Sequence, residues 1–112
     1  MPGVSEERLG FNEAAFRKVN EGIERGSDNR RMTFACECGR LGCNKLIELS
    51  RPEYEAVRAH SRRFFLLASH QLLAVERVVE RHDEYLVVEK LGEAGAIAER
   101  TDPRASSDRA DP

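Results

Sequence analysis

Apolar residues recur at helical spacing near the start of the chain, which predicts an amphipathic helix. Asn12 is a suitable N-cap, and Gly26 is a plausible stop at the C-terminal end. We expect the apolar side to pack on the protein's own core, with binding to a partner as the alternative. Residues 1–10 have no firm pattern and are expected to fray. The apolar stripe consists of Leu9, Phe16, Val19 and Ile23.

Two short segments on either side of a cysteine-rich loop predict β-strands. Residues Met32–Cys36 alternate in polarity, and residues Lys45–Leu49 form a second short strand. We therefore expect a β-hairpin that is closed by the intervening loop.

The segment after this hairpin carries a double signal for the start of a helix. Ser50 and Glu53 have the spacing of a capping box, and Pro52 lies in the first turn, where its missing N–H is not needed. The helix should reach about Ala59, with Tyr54 and Val57 facing inward. The apolar residues 64–67 then predict a strand.

The C-terminal half predicts a second hairpin and a last helix. Residues 75–81 are compatible with a helix by composition, but the Tyr85–Glu89 segment favours a strand, and residues 82–84 suit a turn. The helix should run from about Gly92 to Arg100, with an apolar face of Ala94, Ile97 and Ala98.

From Thr101 onward the sequence offers nothing to bury. The pattern as a whole therefore predicts a single α+β domain over residues 1–103, with an N-terminal amphipathic helix, a small antiparallel sheet around the cysteine-rich loop and short helices, followed by a disordered tail over residues 104–112.

Composition and charge narrow the class of protein. Apolar residues make up 40% of the 112 residues and charged residues 34%, as in a soluble globular domain. No apolar run approaches the roughly 20 residues of a membrane span, and the acidic start does not resemble a signal peptide. We therefore expect a cytoplasmic protein that does not bind membranes, with its thiols kept reduced. A net charge of −2 argues mildly against duplex DNA as the main partner.

The strongest chemical signal is a cluster of three cysteines within eight residues. Cys36, Cys38 and Cys43 follow one another with Gly39 and Gly42 between them, and the two glycines permit the sharp bends that would aim the sulfurs at one point. Soft thiolates select zinc, copper(I) or iron–sulfur clusters over magnesium or calcium. The sequence therefore predicts a structural zinc site. Unligated buried cysteines, a disulfide between Cys36 and Cys38, and an iron–sulfur cluster are the alternatives.

Three cysteines leave a zinc tetrahedron one ligand short, and the chain has three histidines. We favour His70, because it lies in a loop directly after a predicted core strand and can approach the cysteines without distorting an element. His82, in the predicted hairpin turn, is the second candidate, and His60, at the end of a helix, is the third.

Catalytic chemistry is not indicated. Glu37 is expected to point away from its neighbouring cysteines on an alternating backbone, and the zinc-protease, deaminase, phosphate-loop and nucleophile-elbow motifs are missing from the sequence. We therefore predict a non-enzymatic interaction or regulatory module whose partner is another protein. Nucleic-acid association is the alternative, if Arg30, Arg31, Arg62 and Arg63 converge with Arg40 and Lys45 on one face.

Two resemblances accompany this interpretation. The Cys-x-Cys-x4-Cys spacing resembles the zinc loop that follows SET methyltransferase domains, where the fourth ligand comes from elsewhere in the fold. The match covers only those eight residues and implies metal binding, not methyl transfer.

The chain from Asn12 to about Pro103 resembles a family of small actinobacterial proteins. That resemblance implies a histidine at position 70 in a Gly-His context, where this chain has Ser69, and it implies no particular activity. The segments that carry it are residues 12–20, 34–39, 53–58 and 75–90.

Overall fold

The computed structural model describes residues 6–26, 31–40, 42–72 and 74–104. Within these ranges the chain forms three helices and five strands, as the sequence predicts for an α+β domain. In chain order they are α1 (Glu6–Arg25), β1 (Arg31–Ala35), β2 (Leu46–Ser50), α2 (Arg51–Arg58), β3 (Arg63–Leu66), β4 (Glu76–Arg81), β5 (Leu86–Lys90) and α3 (Gly92–Arg100).

The first sheet is the predicted hairpin around the cysteine loop. Strands β1 and β2 pair antiparallel, and the side chains of Met32, Phe34, Ile47 and Leu49 are buried on one face. The capping box at the start of α2 is confirmed: the Glu53 N–H donates to Ser50 Oγ (3.2 Å), and the Ser50 N–H donates to Glu53 Oε1 (2.8 Å).

The second sheet has three antiparallel strands in the order β3-β5-β4. The β4–β5 hairpin is the one predicted from residues 75–90, with a register shift between Val78 and Glu80. Strand β5 lies in the middle and is almost entirely buried, which explains its run of Leu86, Val87 and Val88.

Aromatic rings join the two sheets. Phe34 of β1 stacks on Tyr54 of α2 with 4.4 Å between ring centroids, and Phe65 of β3 meets both rings edge-on. A backbone bond continues this link, because the Glu37 N–H donates to the carbonyl of Phe65 (3.0 Å). The cysteine loop therefore begins at the junction of the two sheets.

Helix α1 differs from the prediction in its start and in its buried side. It begins at Glu6, so Asn12 is not its N-cap and residues 6–10 are helical; the side chain of Leu9 lies outside the described part. Val19, expected on the core side, is 54% exposed, and Phe16 and Ile23 are only half-buried. The buried side instead carries polar and charged groups, namely Glu13, Arg17, Asn20 and Glu21.

Distant parts of the chain supply partners for these buried charges, although Nε of Arg17 has no hydrogen-bond partner among the described residues. Arg17 lies 3.8 Å over the Phe64 ring and donates to the Ser61 carbonyl (2.6 Å), while Lys90 bridges the carboxylates of Glu13 and Glu76. A helix face that is paired in this way is buried despite its charge, so the apolar periodicity of α1 does not identify its most buried face, although Ile23 packs against the core as predicted.

The C-terminal segment is also more ordered than predicted. Asp102 is buried and forms an ion pair with Arg58 (2.5 Å). Arg104, expected to begin the disordered tail, pairs with Glu21 (2.8 Å) and Glu55 (2.7 Å). The prediction that nothing is buried after Thr101 is therefore wrong at Asp102, and Arg104 is partly buried. Residues 105–112 lie outside the described ranges. None of the helices in the described chain is long and apolar enough to cross a membrane.

Candidate metal centre

The loop that follows β1 turns twice, and each turn uses a glycine in the left-handed region. Gly39 has φ +75° and Gly42 has φ +82°, in a region that residues with a Cβ rarely adopt. The Cys36 N–H donates to the Lys45 carbonyl (3.0 Å), and the Cys43 N–H donates to the Arg40 carbonyl (3.1 Å). We call residues 36–43 the knuckle. Its turns bring Cys43 back toward the end of β1, as the two glycines predict.

Four potential metal ligands converge at the knuckle. Cys36, Cys38, Cys43 and His70 each present one donor atom, and all four donors lie within 4.8 Å of one another. His70 Nδ1 is 3.6 Å from the Cys36 sulfur and 3.8 Å from the Cys43 sulfur. The four side chains named from the sequence are therefore brought together.

These separations fit a tetrahedral zinc ion. With Zn–S bonds near 2.3 Å and Zn–N bonds near 2.0 Å, tetrahedral angles put sulfur and nitrogen about 3.5 Å apart. The donor set of three thiolates and one imidazole is also one that structural zinc sites use. The cluster can hold a metal ion, and zinc suits both its spacing and its donor atoms.

His70 reaches the cluster from the loop after β3. Its N–H donates to the Leu67 carbonyl (3.0 Å), and the preceding Ser69 has φ +75°. Ser69 has the only positive φ among described residues other than glycine, so this loop needs a conformation that glycine adopts without strain. The turn at Ser69 directs the next side chain toward the three sulfurs.

The two other histidines lie elsewhere. His82 stacks on Tyr85, with ring centroids 4.3 Å apart, and its Nε2 is 2.9 Å from Glu80. His60 is exposed after α2. Neither belongs to the cluster of metal-binding groups found in the described chain.

Neighbouring elements hold the knuckle in place. The Leu67 N–H donates to the Cys36 sulfur (3.4 Å), a bond that stabilises a ligating thiolate. Asn12 of α1 donates from Nδ2 to the Gly39 carbonyl (3.1 Å). Asn12 is therefore not the helix cap predicted from the sequence but a residue inside α1 that holds the knuckle.

Glu37 points away from the cysteines, as alternation predicts. Its side chain is fully buried, where Oε2 accepts from Asn20 Nδ2 (2.8 Å) and Oε1 accepts from the Phe65 N–H (3.3 Å). Burial raises the pKa of Glu37 to about 7, against the nearby charge of Arg17. Asn20 Nδ2 also donates to the carbonyl of Ala35, and the Ala35 N–H donates to Asn20 Oδ1, so α1 holds the end of β1 in place.

The pKa values of two cysteine thiols are shifted in opposite directions. The hydrogen bond with Cys36 lowers the pKa of the Cys38 thiol to about 4 despite its burial, with further help from the Arg40 backbone. The same Cys38 contact, together with burial, raises the pKa of Cys36. Within this pair the shared hydrogen bond therefore favours the thiolate on Cys38 and the proton on Cys36, and a bound cation would favour the thiolate form of every cysteine ligand.

Three of the four arginines in the basic pairs named from the sequence form ion pairs with carboxylates. Arg31 pairs with Glu48 (3.3 Å), Arg62 with Glu99 (2.7 Å) and Arg63 with Glu89 (3.1 Å), while Arg30 lies outside the described residues. Carboxylates therefore neutralise part of the positive charge that these three arginines could offer to phosphate.

Comparison of the chain with models of known protein families, with curated proteins and with solved structures found no match. The resemblance to small actinobacterial proteins therefore stays a prediction, and the assignment of the candidate metal centre rests on its own geometry.

Proposed function

We propose that this chain is a small cytoplasmic zinc protein, in which a structural zinc ion stabilises a surface that binds another protein and no reaction is catalysed. The observation that carries the proposal is the convergence of three cysteine sulfurs and one histidine nitrogen within 4.8 Å. Four protein donors fill a tetrahedron and leave no position for a reacting water, which is the pattern of a structural zinc site.

The position of the site supports a stabilising role. The knuckle follows β1, and His70 follows β3, so one ion would tie the two sheets together. The core of a domain of about 100 residues supplies little surplus stability, and a metal ion that binds the folded chain more tightly than the unfolded chain adds to the free energy of folding.

The zinc is tested by measuring metal in the protein purified under reducing, chelator-free conditions. We expect one zinc per chain. Loss of a residue that hydrogen-bonds to a metal ligand typically weakens metal binding 10–100-fold, and we expect His70→Ala, which removes a ligand itself, to weaken zinc binding by more than that. His82→Ala is the matched control and should keep zinc. A folded protein without metal, or loss of zinc in His82→Ala alone, would contradict the proposal.

The choice between a protein and a nucleic acid as partner is tested by binding of mixed RNA and DNA across a salt series. The arginines that could meet phosphate are paired with carboxylates, so we expect only weak binding. Tight binding that falls steeply with salt would favour a nucleic-acid function instead.

A further inference from the structure

One face of α1 leaves apolar side chains exposed in a line. Phe11 is 51% exposed and Val19 is 54% exposed, with Ala15 exposed between them at four-residue spacing. This spacing places the three residues on one side of the helix. The face lies opposite Glu13, Arg17 and the other buried groups of α1, so the described core does not use it.

A small cleft runs along one edge of this face, between α1 and the knuckle. Its volume is about 130 Å³, and the described residues that line it are Asn12, Ala15, Phe16, Gly39, Arg40 and Gly42. An apolar cavity of about 150 Å³ accommodates benzene, so the cleft is large enough for one apolar side chain of a ligand. We call the exposed line and this cleft together the α1–knuckle face.

Cations border the α1–knuckle face on both sides. Lys18 and Arg25 are exposed along one edge of α1, and Arg40 is exposed on the knuckle at the other. The acidic residues of α1 between Phe11 and Arg25 are turned away: Glu13 and Glu21 are buried, and Glu24 pairs with Arg51 (2.7 Å). A chain with a net charge of −2 thus presents a cationic, apolar face here.

We propose that the α1–knuckle face binds an acidic amphipathic helix of another protein, an inference that rests on the proposed function and names the chemistry of its partner. Apolar side chains of the ligand helix would lie along Phe11, Ala15 and Val19, and one would enter the cleft. Its carboxylates would meet Lys18 and Arg25 on one side and Arg40 on the other. The small residues Ala15 and Gly22 allow close approach, since a Cβ built on Gly22 would meet no atom of another described element within 4 Å.

The charges favour such a partner over a second copy of the chain. A symmetric pair through α1 would bring the same patch against itself, so that Lys18 and Arg25 would face like charges. A membrane surface fits less well, because three cations contribute only about 1 kcal/mol each and the apolar line contains a single aromatic ring.

The test uses a displayed library of 16-residue helical peptides, with apolar residues at positions a and d and with Glu, Asp, Lys or Arg elsewhere. Peptides are selected on the immobilised zinc-loaded full chain, and the best one is synthesised for titration. We expect the selected peptides to be enriched in Glu and Asp. Val19→Glu, and separately Lys18→Glu with Arg25→Glu, should weaken binding at least tenfold.

Matched controls keep the experiment specific. Leu46→Glu places the same charge on a different exposed apolar residue, Arg81→Glu reverses a charge on β4, and neither should change binding more than twofold. Zinc content is measured in every variant. If zinc is present but no peptide is enriched, if acidic residues are not enriched, or if Val19→Glu has no effect, the inference is overturned while the structural zinc stands.

Two other results would overturn the inference by naming a different occupant. One is self-association of the chain that Val19→Glu abolishes. The other is binding to vesicles rich in phosphatidylserine that is stronger than binding to any selected peptide. A chain that lacks zinc but binds acidic peptides in a Val19-dependent way would instead remove the zinc proposal alone.

Discussion

At the scale of single residues, the ligand set depends on the backbone of its neighbours. Gly39 and Gly42 have positive φ and shape the knuckle, and Ser69 has the same kind of angle immediately before His70. A residue with a Cβ in this region costs roughly 1–2 kcal/mol relative to an ordinary conformation. The strained serine therefore lies at the one position that delivers the distant ligand.

Replacing Ser69 with glycine should relieve this strain. We expect Ser69→Gly to raise the free energy of unfolding of the metal-loaded protein by up to about 1 kcal/mol, since part of the gain is offset by the greater freedom of glycine in the unfolded chain. Urea denaturation in excess zinc measures the change. Ser69→Ala is the control, because it keeps a Cβ at φ +75° and should not be stabilised.

At the scale of elements, α1 and α3 approach each other at a glycine. A Cβ on Gly10 would lie 2.7 Å from Cγ2 of Ile97, a β-branched side chain that is fully buried and has no room to move. The close contact explains why a residue with low helix propensity lies inside α1.

The two glycines of α1 give a matched pair of substitutions. Gly10→Ala should destabilise the protein by about 1–3 kcal/mol through overpacking against Ile97. Gly22→Ala meets nothing within 4 Å and should stabilise by up to about 1 kcal/mol through helix propensity. Thermal or urea unfolding of both variants measures the difference, and equal effects would show that the α1–α3 contact is loose.

Prediction from the sequence succeeded where the signal is local. The capping box of Ser50 and Glu53 and the three cysteines all lie within a few residues of their partners, so spacing alone identifies them. It failed for the buried side of α1, because Arg17 and Glu13 are stabilised by Ser61 and Lys90, which are far away in the chain. Asn12 was misassigned for the same reason, since its partner Gly39 is 27 residues away.

At the scale of the whole molecule, buried ion pairs make stability depend on pH. Burial raises the pKa of Glu13 to about 7, although Lys90 opposes the shift and Glu76 and Glu37 add to it. The unfolded-state value is 4.5, so the folded protein holds this proton more tightly. The stabilisation from Glu13 is therefore complete below pH 4.5 and is lost as the pH rises through about 7.

The variant Glu13→Gln should remove this loss. The difference in free energy of unfolding, variant minus native chain, should rise by up to about 3 kcal/mol between pH 5 and pH 8. This rise is the free-energy equivalent of the pKa shift. Urea titrations of both proteins at several pH values give the difference, in which the pH dependence of metal binding cancels. Glu80→Gln, on the exposed end of β4, is the control. A difference that does not vary with pH would refute the assignment.

The spacing of the ligands has a thermodynamic consequence. Three of the four donors lie within eight residues, so a denatured chain already carries a local thiolate chelate, and only the imidazole must be brought in by folding. Ligands that also bind the unfolded chain stabilise the native state only by the difference between the two affinities. Zinc can therefore be held very tightly while contributing far less to the folding equilibrium than its dissociation constant suggests, and that smaller contribution comes chiefly from closing the loop to His70.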